Sequence, residues 1–97
     1  MFYANPIIHP SVVFKVKSIL KIGGYNEKYR TSQDYYLWFL SASKNLKFAN
    51  LNLFLLKYRM DSSYSQRKNL KYRINDIRIK FNGFKLNKVP YYKYMLL

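Results

Sequence analysis

The feature that most constrains the fold is an aromatic run in the middle of the chain, Tyr-Tyr-Leu-Trp-Phe-Leu at 35–40. With Ala42, this run predicts a helix that begins near Asp34, ends near Ser43 and is apolar on every side. Such a helix has to be enclosed by other elements. A chain of 97 residues can hardly supply partners on all sides. The run therefore indicates that part of a larger domain is missing.

One acidic side chain lies at the start of this helix. Asp34 is one of only four Asp and Glu residues in the chain, and it follows Thr31 at the spacing of a capping box. Upstream, Gly23 and Gly24 permit a tight turn with an exposed backbone. A lone carboxylate at the mouth of an apolar helix, facing a glycine loop, is a candidate general base. The alternative is a structural carboxylate that stabilises the helix N-terminus by about 0.5–2 kcal/mol.

The chain is strongly basic and rich in aromatic residues. It has 18 Lys and Arg, a net charge of +14 and 20% aromatic residues. This balance attracts polyanions such as nucleic acid, anionic lipid headgroups or nucleotide phosphates. A small basic nucleic-acid-binding protein is therefore an alternative, although no RNP-type, zinc-finger or helix-turn-helix pattern occurs. A hydrophobic content of 49% excludes intrinsic disorder.

The metal-binding and targeting signals are sparse. The chain has no cysteine, which excludes disulfides and thiolate metal sites, and His9 is its one histidine. We expect His9 to be packed or backbone-bonded rather than a ligand, and we expect no metal bound by this chain alone. No apolar run approaches the roughly 18 residues of a membrane span, and no secretory signal is visible. We expect a cytoplasmic protein, with a peripheral position at the inner face of the membrane as a variant.

The remaining pattern predicts an α/β fold with short strands. Residues 11–15 are rich in β-branched and aromatic residues and are expected to form a short strand. Residues 47–50 and 54–59 are expected to form two more short strands, joined by a polar turn around Asn52. The spacing of apolar residues over 16–22 predicts a short helix that the glycine pair ends as a C-cap.

A basic amphipathic helix is predicted from about Gln66 to Phe81, with Ser63 and Gln66 as a second capping box and Gly83 closing it. Its apolar stripe has helical spacing and comprises Leu70, Ile74, Ile77, Phe81 and Phe84. Basic residues occupy the other positions, namely Arg67, Lys68, Lys71, Arg73, Arg78 and Lys80. The stripe is compatible with packing beneath a solvated basic face, with a membrane surface or with self-association. Residues 85–97 form a basic, tyrosine-rich tail.

Five segments carry a resemblance to a known family. They read NPIIHPSVVFK at 5–15, GGYNE at 23–27, SQDYYLW at 32–38, KFAN at 47–50 and LLKYR at 55–59. In this order they resemble the second half of family 2 glycosyltransferases, the GT-A fold enzymes that build bacterial surface polysaccharides. The resemblance implies that 1–66 is the acceptor-side part of a catalytic domain and that 67–97 is an added basic helix and tail. The Asp-x-Asp metal motif of the family's first half does not occur here.

The resemblance also implies roles for particular residues. Asp34 corresponds to the catalytic base of inverting members. The implied substrate-binding residues are Gly23 and Gly24, whose backbone a sugar or diphosphate can approach, together with Tyr25. Tyr35 and Trp38 are implied to line or support the acceptor side. The chain departs from the family where an acidic residue is replaced by Tyr36, where an arginine is missing at 39–40, and where a histidine is replaced by Asp61.

The implied partners follow from that chemistry. A complete relative is expected to use a nucleotide sugar, a divalent metal (Mg or Mn) and a saccharide or lipid-linked acceptor. This chain is expected to turn over little or nothing alone, and an anionic membrane surface, a second copy or a complementing chain are further expected partners. A purely structural partner for another chain is a third interpretation.

Overall fold

The computed structural model describes residues 5–61 and 69–88, and in these ranges the chain is helical. A 3-10 turn over His9–Ser11 leads into three α-helices, which are α1 (Val16–Lys21), α2 (Gln33–Ser43) and α3 (Leu70–Leu86). No strand occurs within the described ranges. The prediction of an α/β, GT-A-like domain with short strands is therefore wrong for this part of the chain.

The three predicted strands have physical reasons to be absent. At 11–15, Pro10 sits at the start of the 3-10 turn, and Ser11 Oγ donates to Ile8 O at 2.6 Å, which ties the backbone into that turn. Residues 47–50 and 54–59 run without regular structure, and their side chains are exposed. Residues of high strand propensity suit a pleated, half-buried surface, but they form a strand only where a neighbouring strand pairs with them.

Helix α1 and its glycine terminus are confirmed. Gly23 and Gly24 have φ values of +109° and +67°. Gly23 N donates to Leu20 O at 3.1 Å and Gly24 N donates to Ile19 O at 2.9 Å. This pair of hydrogen bonds is a Schellman motif, which satisfies carbonyls that the helix end would otherwise leave unpaired. Buried Ile19 joins α1 to the core.

Helix α2 is the centre of the core, as the aromatic run predicts. Leu37 and Phe39 are fully buried, and the helix ends at Ser43 with Asn45 in the left-handed region. The predicted capping box is wrong. Ser32 is the N-cap, at φ +56°, and no side chain caps the helix. Thr31 instead accepts hydrogen bonds from another helix.

Helix α3 begins later and ends later than predicted. Asn69 caps it, because the Asn69 side chain accepts a hydrogen bond from Tyr72 N at 3.1 Å. Gly83 lies inside the helix rather than at its end, so the predicted closure there is wrong. The proposed Ser63–Gln66 capping box and most of the basic tail lie outside the described residues.

The face of α3 that packs on α2 is not the predicted apolar stripe. Ile79 and Gly83 are the buried residues of α3, and a Cβ built on Gly83 would overlap the ring of Phe39. Close helix approach therefore requires glycine at this position. Three asparagine amides complete the contact by donating to groups on or before α2. The donor–acceptor pairs are Asn75 with Thr31 O and Oγ1, Asn82 with the Tyr29 hydroxyl, and Asn87 with Phe39 O.

The predicted stripe faces outward along most of its length. Leu70, Ile74, Ile77 and Phe81 are 73%, 53%, 53% and 56% exposed. Phe84 is partly buried. The prediction of a packing stripe is therefore wrong for its first four members. Within residues 5–61 and 69–88, no helix combines the length and the apolar character that crossing a bilayer would need.

Candidate functional site

The carboxylate of Asp34 is held at the first turn of α2. Asn5 Nδ2 donates to Asp34 Oδ2 at 2.9 Å. The Asn5 side chain is itself fixed, because its Oδ1 accepts from Ile7 N at 3.3 Å across Pro6. The N-terminal end of a helix also favours a negative side chain. One carboxylate oxygen of Asp34 is thus oriented by an amide that lies 29 positions away in the chain.

A histidine–tyrosine pair lies beside this carboxylate. His9 Nε2 and the Tyr25 hydroxyl are hydrogen-bonded at 2.7 Å, and their rings meet edge to face. The His9 ring also meets the Trp38 ring at a centroid distance of 6.1 Å. Partial burial and, secondly, the charge of Asp34 raise the pKa of Tyr25. Two segments separated by a helix therefore bring polar groups to the start of α2.

Two open hollows flank the loop that carries Tyr25. One, of about 360 Å³, is lined by His9, Tyr25, Glu27, Tyr29 and their neighbours Asn26 and Gln33. The other, of about 540 Å³, lies on the glycine side and is lined in part by Gly23, Gly24 and Tyr25. Asp34 lines neither hollow directly. Tyr25 lines both, and its hydroxyl is bonded to His9.

The glycine pair is required by conformation rather than by close packing. A Cβ added to Gly23 or Gly24 would meet no atom within 4 Å, but both φ values are ones that L side chains rarely adopt. Their backbone consequently lies open along the larger hollow. This exposure is compatible with the expected approach of a sugar or diphosphate.

The two aromatic residues predicted for the acceptor side, Tyr35 and Trp38, are core residues in this structure, whereas Tyr25 is 40% exposed. Tyr35 is 1% exposed and packs on Phe39 at a ring-centroid distance of 5.0 Å. Burial and, secondly, the charge of Asp76 raise the pKa of Tyr35 to about 12. Trp38 is 2% exposed, and its Nε1 has no hydrogen-bond partner in the described part of the chain. Both rings lie in the core, as the prediction of an enclosed aromatic helix expects.

Sequence reasoning missed the part played by Asn5 and His9. The His9 ring packs edge to face on Tyr25 and Trp38, but its side chain is exposed and bonds the Tyr25 side chain rather than the backbone. The available signal was the clustering of Asn5-Pro6 and His9-Pro10 ahead of α1. The two prolines restrict the backbone before α1. Within this stretch, Asn5 bonds Asp34 and His9 bonds Tyr25.

The described residues do not form a metal site. No group of three or more His, Asp or Glu side chains suitable for a metal ion occurs at 5–61 or 69–88. The divalent ion expected of a complete relative therefore finds no ligand set in this part of the chain.

Three known proteins are similar to this chain, and all are glycosyltransferases. The UDP-Gal:alpha-D-GlcNAc-diphosphoundecaprenol beta-1,3-galactosyltransferase of Escherichia coli is 28% identical over 93 residues, or 95% of this chain and 34% of that protein. An uncharacterized glycosyltransferase of Methanocaldococcus jannaschii is 42% identical over 59 residues, or 61% of this chain and 20% of that protein. The O-antigen biosynthesis glycosyltransferase WbnJ of Escherichia coli is 36% identical over 72 residues, or 72% of this chain and 28% of that protein.

The chain is related to glycosyltransferases. It spans about a fifth to a third of the length of these curated relatives. No protein-family model matches the chain, and no solved structure matches it significantly.

Proposed function

We propose that this chain is the acceptor-side portion of an inverting family 2 glycosyltransferase of surface polysaccharide synthesis, and that Asp34 is its catalytic base. The observation that carries the proposal is the oriented carboxylate at the first turn of α2, held by Asn5 and flanked by the His9–Tyr25 pair. The relationship to glycosyltransferases supplies the reaction class.

The proposed reaction is a single displacement at the anomeric carbon of the donor sugar. The acceptor hydroxyl oxygen bonds to the anomeric carbon from the face opposite the nucleoside diphosphate. The bond from that carbon to the diphosphate oxygen breaks, and the nucleoside diphosphate leaves with the electron pair. The hydroxyl proton passes to a carboxylate oxygen of Asp34, because an attacking hydroxyl must lose its proton as it bonds. Asn5 occupies Oδ2, and Oδ1 has no hydrogen-bond donor among the described residues.

The neighbouring groups have roles that suit an acceptor sugar. The Tyr25 hydroxyl and the His9 ring offer hydrogen-bonding groups beside Asp34. The open backbone at Gly23 and Gly24 gives a diphosphate or sugar close access to the loop. Tyr35 and Trp38 support α2 from within the core.

The proposal extends to the partners. By analogy with the Escherichia coli galactosyltransferase, whose name includes a diphosphoundecaprenol-linked sugar, the acceptor is a saccharide carried on a lipid diphosphate. We further propose that the chain alone has little or no turnover, because it spans only 34% of the length of that relative. The complete enzyme works at the cytoplasmic face of a membrane.

A chimera tests this function. The matching segment of the Escherichia coli galactosyltransferase is replaced by this chain, and transfer of galactose to a short-chain diphosphate-linked GlcNAc acceptor is measured. We expect the chimera that carries the unaltered sequence of this chain to transfer galactose. We expect Asp34→Asn to lower turnover by at least about 100-fold, since general-base catalysis contributes about 10²–10⁴-fold.

Lys17→Gln on α1 is the control, because it removes an exposed charge outside the Asp34 cluster. It should leave turnover within about twofold. Circular dichroism of each chimera separates loss of folding from loss of chemistry. A folded chimera that turns over equally well with Asp34→Asn would contradict the assignment of the base.

A further inference from the structure

The outward stripe of α3 is the largest regular apolar surface on a described helix. We define it as Leu70, Ile74, Ile77 and Phe81, each more than half exposed. The spacing of four, three and four places them on one side of the helix. The packing residues Ile79 and Gly83 lie on the opposite side, against α2. The stripe consequently contributes little to the core around α2.

Basic residues border the stripe on both sides. Lys71, Arg78 and Lys85 recur at seven-residue spacing and form one row. Arg73 and Lys80 form the second row on the other flank. The one acidic residue of α3, Asp76, belongs to the packing side, where its Oδ1 is buried. The outer half of α3 is therefore an apolar strip between two cationic rows, with no compensating acid.

This combination distinguishes among three occupants. A second copy of the chain would bring two cationic rows against two others, which opposes association. A nucleic acid would neutralise the rows but would leave the exposed apolar area of the stripe in contact with water. An anionic lipid surface satisfies both features, since acyl chains receive the stripe and headgroups meet the Lys and Arg side chains.

We propose that α3 docks this protein flat on an anionic lipid surface through its outward stripe. The 17 residues of α3 give a helix of about 25 Å that lies in the headgroup region with its axis parallel to the membrane plane. This inference is independent of glycosyl transfer, because it uses only the exposure and charge of α3.

Vesicle co-sedimentation of the full chain tests the proposal. We expect binding to vesicles of phosphatidylcholine with phosphatidylglycerol, and much weaker binding to phosphatidylcholine alone. Lys71→Gln and Arg78→Gln should each weaken binding about fivefold. Ile74→Asn and Ile77→Asn should each weaken it about fourfold or more. The matched controls are Lys17→Gln on α1 and the exposed apolar Leu53→Asn, and they should change binding less than twofold.

A site-specific probe reports which surface enters the lipid. The chain has no cysteine, so Ile77→Cys or Leu53→Cys carries a single polarity-sensitive dye. We expect a blue shift on anionic vesicles for the label at 77 and none for the label at 53. Equal blue shifts at positions 77 and 53 would show that the stripe does not enter the lipid selectively. Equal loss of binding in Lys17→Gln and Lys71→Gln would show that binding depends only on net charge. Either result would overturn the proposal.

The other occupants give their own signatures. A dimer in sedimentation velocity that Ile77→Asn dissociates would assign the stripe to a second copy. Loss of single-stranded oligonucleotide binding in Ile77→Asn, without any loss of vesicle binding, would assign it to nucleic acid. Either result overturns the lipid proposal.

Discussion

The contact between Gly83 and Phe39 gives a sharp test of how α2 is held. At an open position in a helix, Gly→Ala stabilises by about 1 kcal/mol. At Gly83 the new methyl group would overlap the Cγ and both Cδ atoms of the Phe39 ring. That ring is fully buried, and the Phe39 carbonyl accepts a hydrogen bond from Asn87 Nδ2 at 3.2 Å. The ring therefore has little freedom to retreat.

The expected magnitude follows from two opposing effects. Overpacking costs about 1–3 kcal/mol, and the constrained ring places this contact near the upper end. Subtracting the gain of about 1 kcal/mol in helix propensity leaves Gly83→Ala less stable by about 2 kcal/mol. In a domain of this size, that loss lowers Tm by about 8–16 °C.

Thermal and urea unfolding followed by circular dichroism measure the effect. The Phe39→Leu variant provides the second arm of a double-mutant cycle, because it removes the ring that the methyl group meets. In the Phe39→Leu background, Gly83→Ala should be neutral or stabilising by up to about 1 kcal/mol. If Gly83→Ala stabilises the unaltered chain, the close packing of α3 on α2 is refuted.

Three further substitutions test individual contacts. The pKa of Tyr35 is raised from 10.0 to about 12. Its stabilising contribution is therefore complete below pH 10 and is lost as the pH rises through 12. Between these values the free energy of unfolding should fall by about 1.4 kcal/mol per pH unit. Tyr35→Phe should remove this slope in alkaline urea titrations, and an unchanged slope would contradict the burial of the phenol. Gly23→Ala should cost about 1–2 kcal/mol in urea unfolding because of its positive φ, whereas no change would argue against the Schellman motif. Asn75→Ala should cost about 1–2 kcal/mol and shift the amide resonances of Thr31 and its neighbours, and unshifted resonances would argue against the contact.

Local signals in the sequence predicted the first two helices well. The apolar spacing over 16–22 and the following Gly23-Gly24 determine α1 and its Schellman end, because both depend on residues a few positions apart. The aromatic run likewise determines the burial of α2 and its end at Ser43. Asp34 was placed correctly at the first turn of α2, since its position depends only on where that helix begins.

Errors arose where distant residues decide the outcome. The strand-like composition of 54–59 is not realised, because no partner strand is present in the described chain. The capping box failed because Thr31 is bonded by Asn75, 44 positions away. Apolar spacing left three interpretations of the stripe on α3 open, including packing. The contact with α2 instead depends on a close approach at Gly83 and on amide donors for carbonyl and hydroxyl groups.

The sequence predicted only part of the site for the same reason. Asp34 and Tyr25 lie in the segments that resemble the family, but their hydrogen bonds to Asn5 and His9 depend on how the residues before α1 fold back over α2. A lone histidine and an asparagine before proline have many structural uses. Their role emerges only when the two segments are brought together.

The kinetic split for Asp34→Asn in the chimera tests the central claim most directly. If this carboxylate takes the proton from the acceptor hydroxyl, kcat should fall by about 100-fold or more while the acceptor KM changes by less than about threefold, because the amide keeps the shape and the Asn5 contact but cannot accept the proton. A raised KM with kcat unchanged would make Asp34 a binding residue and would contradict its role as the base.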